Sequence, residues 1–276
     1  MSALVDPTSL REELADHSRP GPLVLDVQFT LSGDGPDLYA AGHLPGAPFV
    51  DLDAVLAGEP GAGGRHPLPE PGVLQSGLRA AGVHNDSRVV VYDQATSLAA
   101  ARAWWVLRWA GLTDVRVLDG GLAGWQAAGG AVSTEPTSPT AGSVTVRPGS
   151  VPVLEAQDVA TLTRAGVLVD ARTPERYRGE SEPIDPVAGH VPGAVNIPMG
   201  ELTTGEGRLR SPEELRERFA AEDIDASTVV GSYCGSGVTA AHTALTLHEI
   251  GIEAAVYVGS WSHWVTDPGR PVATGD

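Results

Sequence analysis

The chain reads as an α/β protein in two copies, each a mostly parallel sheet flanked by helices. Three observations predict this. Four sequence blocks recur in the same order in the two halves of the 276 residues, the strand-length runs are continuously apolar, and amphipathic stretches of helical length separate those runs.

Taken in order, Leu23-Val24-Leu25-Asp26 opens the first copy and Val167-Leu168-Val169-Asp170 opens the second. A Gly-His-x-Pro-Gly-Ala turn follows in each, at 42–47 and 189–194. Both copies carry this histidine but only one carries a cysteine, so His43 and His190 read as turn-pinning groups. Next come strands at Val89–Tyr92 and 228–232, then helices at 99–110 and 238–250. Strands at Val115–Leu118 and 254–258 follow, and each copy closes on a glycine- and tryptophan-bearing block, 120–125 and 259–264. Trp104, Trp105 and Trp109 lie on the first of the two helices and read as core. By repeat logic Trp261 should line the site of the second copy. Residues 133–152 are rich in Ser, Thr, Pro and Gly and form the expected linker between a domain of residues 1–132 and one of residues 153–276.

Composition narrows the chemistry. The net charge is −17, and all 18 basic residues are arginine, so no lysine exists for a Schiff base or a phosphate loop. The acid is spread over both halves, which argues against a nucleic-acid or membrane surface. The N-terminus lacks a basic, apolar leader, and no apolar run approaches the roughly 18 residues of a membrane span, so a cytoplasmic location is expected. One cysteine, Cys234, excludes an internal disulfide, a CxxC pair and a Cys-rich metal site. No metal and no organic cofactor is implied.

That cysteine sits where chemistry is expected. Cys234-Gly235-Ser236-Gly237-Val238-Thr239 follows a strand and opens a helix. Glycines let successive backbone N–H groups turn inward, and the helix start adds partial positive charge, so a thiolate is stabilised there. The end of a central parallel strand is also where open α/β sheets place their ligands. A cysteine phosphatase would need an arginine six residues after the nucleophile, and that residue is Ala240.

The duplicated Gly-His-x-Pro-Gly-Ala turns, the Cys-Gly-Ser-Gly-Val-Thr loop and the Gly-Ser-Trp-x-x-Trp ending resemble the two-domain rhodanese-type sulfurtransferases over nearly the whole chain. The resemblance implies tandem rhodanese-like domains, the first catalytically silent with Asp93 in the place of Cys234. It implies a ping-pong transfer in which Cys234 takes a sulfur as a persulfide and passes it to an external acceptor, thioredoxin, glutathione or cyanide. The neutral Gly-Ser pair after the cysteine resembles 3-mercaptopyruvate sulfurtransferases, whereas the thiosulfate-preferring branch typically carries Arg-Lys there. On that resemblance the backbone of Gly235, Gly237, Val238 and Thr239 and the side chain of Arg176 bind the donor, and Ser236, His66 and Asp53 form a proton relay, with His66 and Asp53 supplied by the silent copy. Members usually carry another arginine just before the second Gly-His turn. Here that stretch is Glu182-Pro183-Ile184-Asp185-Pro186, so donor binding is expected to rest on Arg176 with help from Arg172 or Arg178. Two alternatives stand beside this: a thiosulfate:cyanide sulfurtransferase, and a sulfur-carrier or persulfide-sensing module without turnover. In every case the lone thiol is the expected point of oxidation.

Overall fold

The structure, a computed structural model, describes residues 2–30 and 32–276. The chain divides into two units whose boundaries interleave. The first comprises Met1–Gly58, Leu68–Ser150 and Gly205–Leu209; the second comprises Glu59–Pro67, Val151–Thr204 and Arg210–Asp276.

The first unit runs β1 (Leu4–Val5), α1 (Pro7–Ala15), β2 (Leu23–Asp26), α2 (Gly35–Ala41), α3 (Leu52–Val55), α4 (Pro71–Ala80), β3 (Val89–Tyr92), α5 (Leu98–Trp109), β4 (Val115–Leu118) and α6 (Gly121–Ala127). Its strands are parallel in the order β1-β4-β3-β2. A strand flanked on both sides must be apolar on both faces, and all four residues of β3 are fully buried. The helix expected at 99–110 is α5, one residue earlier at each end, and Trp104, Trp105 and Trp109 are core residues on it. Residues 133–150 hold no helix or strand, yet they are fastened to this unit. Ser133 bridges His43, the Gly142 N–H donates to the Arg79 carbonyl at 2.8 Å, and Val144 is fully buried.

The second unit runs α7 (Ala156–Ala165), β5 (Val167–Asp170), α8 (Pro174–Arg178), β6 (Val195–Asn196), α9 (Met199–Leu202), α10 (Pro212–Ala220), β7 (Val230–Tyr233), α11 (Val238–Glu249), β8 (Ala254–Val256) and α12 (Ser260–Trp264). Its parallel order is β6-β5-β7-β8. The strand expected at 228–232 is shifted to β7, and the one at 254–258 ends two residues early. The central strand, Val-Gly-Ser-Tyr, is a poor strand sequence with a packing reason. A Cβ on Gly231 would lie 2.3 Å from Leu162 and 2.6 Å from Leu154, so only glycine lets α7 pack this close to the sheet. The buried Ser232 hydroxyl donates to the Ala240 carbonyl at 3.1 Å.

The two units share one plan. An Asp26–Phe49 bridge in the first unit stands where β6 stands in the second, and a Val153–Val256 bridge in the second stands where β1 stands in the first. In each, the tyrosine ending the central strand accepts an N–H from the residue after the turn histidine: Leu44 to Tyr92 at 2.9 Å and Val191 to Tyr233 at 3.1 Å. The histidines pin their turns. His43 bonds the carbonyls of Tyr39 and Glu135 and stacks on Tyr39; His190 bonds the Tyr177 carbonyl and stacks on Tyr177. Among the described residues no helix is long and apolar enough to cross a membrane.

Candidate active site

In the second unit the chain runs from β5 outward to β6, then returns to β7 on the other side, which places a crevice at the carboxyl ends of β5 and β7. Cys234 is the first residue after β7. Gly237 takes a φ of +86°, the left-handed conformation that glycine adopts without strain, and α11 starts immediately after it. The curl brings the Gly237 N–H onto Cys234 Sγ at 3.1 Å. The loop is also held from behind: the carbonyls of Cys234 and Gly235 accept the N–H groups of Trp261 and Ser262, both at 2.9 Å, and the Cys234 N–H donates to Ser260 Oγ at 3.1 Å. With its carbonyls tied to α12, the loop keeps its N–H side for the sulfur and for whatever anion joins it. The first turn of α11 adds N–H groups that have no partner within the helix, those of Val238 and Thr239 among them. Ser260 has a φ of +53°, unusual for a residue with a Cβ, and its hydroxyl donates to the Tyr257 carbonyl at 2.8 Å while accepting from Cys234. Cys234 is only 2% exposed, so the sulfur lies at the bottom of its cradle.

The equivalent loop of the first unit is filled from within. Asp93 follows β3, and its carboxylate accepts the N–H groups of Ala95, Ser97, Ala99 and Ala100 at 2.9 to 3.2 Å. Burial raises the Asp93 carboxyl above its ordinary value, against the opposing pull of those four N–H groups. A carboxyl group of the chain's own thus takes the N–H groups of this loop.

The segment Glu59–Pro67 brings two further side chains to the second unit's loop. Gly61 and Gly64 exchange N–H···O bonds at 2.9 Å, closing a tight turn. Gly64 has a φ of +105°, and a Cβ there would lie 2.6 Å from the Gly259 carbonyl oxygen, so the turn must be bare to sit against α12. The Arg65 N–H then donates to Ser262 Oγ at 3.1 Å. His66 Nδ1 is hydrogen-bonded to Ser236 Oγ at 2.7 Å. His66, read from its position as part of the first half, therefore folds with the second unit. Asp53 lies on α3 of the first unit, where burial and the neighbouring Asp51 raise its carboxyl.

The remaining arginines sort themselves by partner. Arg176, on α8, donates to Glu182 from Nε at 3.0 Å and Nη2 at 2.7 Å, and from Nη2 to Asp185 at 3.2 Å. Burial pushes the Glu182 carboxyl up, but the Arg176 hydrogen bond and the N–H groups of Asp185 and Ile184 outweigh it and hold the group below its usual range. The expectation that Arg172 assists donor binding is corrected. Arg172 is 1% exposed and spends its donors on Asp170, Glu182 and the Gly189 carbonyl, with its plane 4.6 Å over the Trp261 ring. Arg178 pairs with exposed Glu180. Trp261 is corrected likewise: its side chain is fully buried, its indole N–H donates to the Val187 carbonyl, and only its backbone serves the loop.

Reading the sequence missed Arg65, Glu182, Asp185 and Ser260. The one signal for Arg65 was its adjacency to His66; the two acids were visible only as a stretch lacking an arginine.

Two copies of a parallel-sheet domain, one cradling a cysteine and the other a carboxylate, define a tandem α/β protein with a single cysteine-bearing loop. The profile of the rhodanese-like domain matches residues 7–128 and again residues 155–267. The chain belongs to the rhodanese family and is a sulfurtransferase. It is 46% identical over 260 residues to a Mycobacterium tuberculosis protein named as a thiosulfate sulfurtransferase, SseB, covering 91% of this chain and 90% of that one. It is 45% identical over 271 residues to a Pseudomonas aeruginosa protein named as a 3-mercaptopyruvate sulfurtransferase, covering 94% of each. The crystal structure of SseA from Escherichia coli, described as a 3-mercaptopyruvate enzyme with the rhodanese fold, superposes with a TM-score of 0.80 at 30% identity, over 95% of this chain and 100% of that one.

Proposed function

We propose that the chain moves a sulfur atom from 3-mercaptopyruvate to a thiol or to cyanide through a persulfide on Cys234. The Cys234 thiolate attacks the donor's sulfur, and the carbon–sulfur bond breaks with its electron pair going to carbon as the pyruvate enolate. The donor's thiol proton passes to that carbon, so the products are pyruvate and the anionic persulfide Cys–S–S⁻. Cyanide then takes the outer sulfur as thiocyanate and restores the thiolate; two acceptor thiols instead leave as a disulfide with release of hydrogen sulfide. The backbone N–H groups from Gly235 to Thr239 stabilise the charge on the persulfide, and Arg176 binds the donor's carboxylate.

The observation that carries the choice of donor is the 2.7 Å bond between Ser236 and His66 in the cysteine loop. A thiol donor needs its proton moved, whereas thiosulfate releases sulfite and needs no such transfer, so a hydroxyl–imidazole pair at the nucleophile suits the former. Asp53 completes this relay in the proposal on the strength of the family resemblance. A reducing cytoplasm with thioredoxin or glutathione as acceptor fits a chain whose one thiol has no internal partner to resolve the persulfide.

A second reading, thiosulfate as donor, is favoured by the name of the M. tuberculosis relative. Intact-mass spectrometry after addition of each donor tests both. A gain of one sulfur from 3-mercaptopyruvate, absent in Cys234→Ala, is expected, together with a kcat/KM that exceeds the thiosulfate value. A higher kcat/KM for thiosulfate would transfer the assignment to the second reading, and no sulfur gain from either donor would overturn both.

A further inference from the structure

Gly235, next to the nucleophile, is overhung by two guanidinium groups. A Cβ placed on it would lie 2.9 Å from Arg65 Nη2 and 3.4 and 3.5 Å from Arg176 Nη1 and Nη2. The two arginines come from segments far apart in the chain, and both are held by carboxylates on their outer edges. Arg65 Nη1 pairs with Asp185, which is 3% exposed; Arg176 Nε and Nη2 pair with Glu182, and Nη2 also reaches Asp185. Asp185 thereby bridges the two cations, which would otherwise repel each other at this spacing.

What these bonds leave over is the informative part. Among the described residues Arg65 Nη2 and Arg176 Nη1 have no hydrogen-bond partner, and they are the two nitrogens nearest Gly235. Arg65 Nε is buried and has no partner either. A buried guanidinium N–H without an acceptor is costly and rare, because it has given up water for nothing. Two unspent nitrogens, Arg65 Nη2 and Arg176 Nη1, one on each planar fork, lie over a residue with no side chain and one position from the thiol, and match the two oxygens of a small carboxylate.

We propose that Arg65 is a specificity-determining residue that, with Arg176, clamps the donor's carboxylate over Gly235. The clamp sets a keto acid's thiol against Cys234 and leaves Asp185 and Glu182 as the groups that aim the two forks. The assignment of the donor as a keto acid rests on the 3-mercaptopyruvate reading above; the carboxylate seat itself does not.

The single cysteine allows a direct test on the full chain. Iodoacetate and iodoacetamide deliver the same electrophilic carbon with and without a carboxylate, so the ratio of their alkylation rates at Cys234 reads the seat and cancels general changes in thiol reactivity. Arg65→Gln should lower that ratio about tenfold and raise KM for 3-mercaptopyruvate about tenfold, with a much smaller change in kcat, the signature of lost ground-state binding. Arg65→Lys keeps the charge opposite Asp185 without the fork and should lower the ratio about threefold. It also decides the matter if Arg65→Gln does not fold. An unchanged ratio in folded Arg65→Gln, or in Arg65→Lys where the glutamine variant fails to fold, would overturn the seat. If wild type does not turn over 3-mercaptopyruvate but the ratio falls as expected, the donor reading fails and the seat stands. If wild type turns the donor over while Arg65→Gln leaves ratio and KM unchanged, the seat fails and the donor reading stands.

Discussion

Cys234 and Asp93 follow equivalent strands, and the difference between a sulfur nucleophile and a carboxylate explains why one loop has N–H groups open to a ligand and the other does not. Asp93 satisfies four N–H groups of its own loop, so nothing is left to bind, whereas Cys234 takes one N–H at 3.1 Å and leaves the rest of its cradle to a ligand. Beside the cysteine, Ser236 and His66 form the pair whose removal discriminates between donors. His66→Gln and Ser236→Ala should each lower kcat with 3-mercaptopyruvate by about 10²-fold and change turnover of thiosulfate much less, because only the first donor has a proton to move. Asp53→Asn, assayed in the same way, asks whether its carboxylate belongs to that relay. Equal losses with both donors would mean that the serine and histidine hold the loop in place without moving a proton. Cys234 itself was legible from its loop. The burial that leaves it 2% exposed was not, because depth depends on α12 and on the 59–67 turn, which no local pattern around residue 234 reports.

At the level of elements, α5 and α11 share a length and a position yet begin differently. α11 opens on Gly237 and leaves its first turn to the site; α5 opens on Ser97 in the left-handed region and is capped by Asp93. The carboxylate therefore replaces a ligand as a structural cap. Asp93→Ala should destabilise the first unit by roughly 2–4 kcal/mol, since it strands several buried N–H groups at once, and urea unfolding followed by tryptophan fluorescence would measure it. A loss below about 0.5 kcal/mol would show that water replaces the carboxylate freely. Strands β3, β4, β7 and β8 and helices α5 and α11 were visible in the sequence within two residues because apolar runs and glycine punctuation are local signals. Gly231 lies inside the expected strand, but only the approach of Leu162 and Leu154 shows why that strand needs a glycine there.

For the molecule as a whole, pH acts through buried groups of opposite sign. His242, on α11, is fully buried, neither ring nitrogen has a partner, and burial lowers it to about 4. The unfolded chain then binds the extra proton between about pH 6.5 and 4 and the folded chain does not, so stability is complete above that window and falls as pH drops through it. Asp26 works the other way: burial raises it to about 6, against hydrogen bonds from Tyr92 and Gln28 that pull it down, and stability is lost as pH rises from about 4 to 6. Differences against a variant separate the two. Between pH 7 and pH 5 the wild-type chain should lose about 2 kcal/mol that His242→Leu does not lose, read from urea titrations at both pH values. Parallel pH dependence in the two proteins would remove His242 from the account.

Much of this protein was determined by the sequence alone. The duplication, the parallel α/β plan and the cysteine cradle all follow from order, periodicity and glycine placement, which act over a few residues. Even the absence of lysine mattered, since every cation at the site had to be a planar fork. Which forks these are, only the tertiary structure decided. Glu59–Pro67 leaves the first half to fold with the second unit, and with it Arg65 and His66 arrive beside Gly235 and Ser236. The physical reason is that an ion pair such as Arg65–Asp185, and a donor left unpaired by it, exist only after distant segments have packed, and residue type and spacing carry no record of which segments will meet.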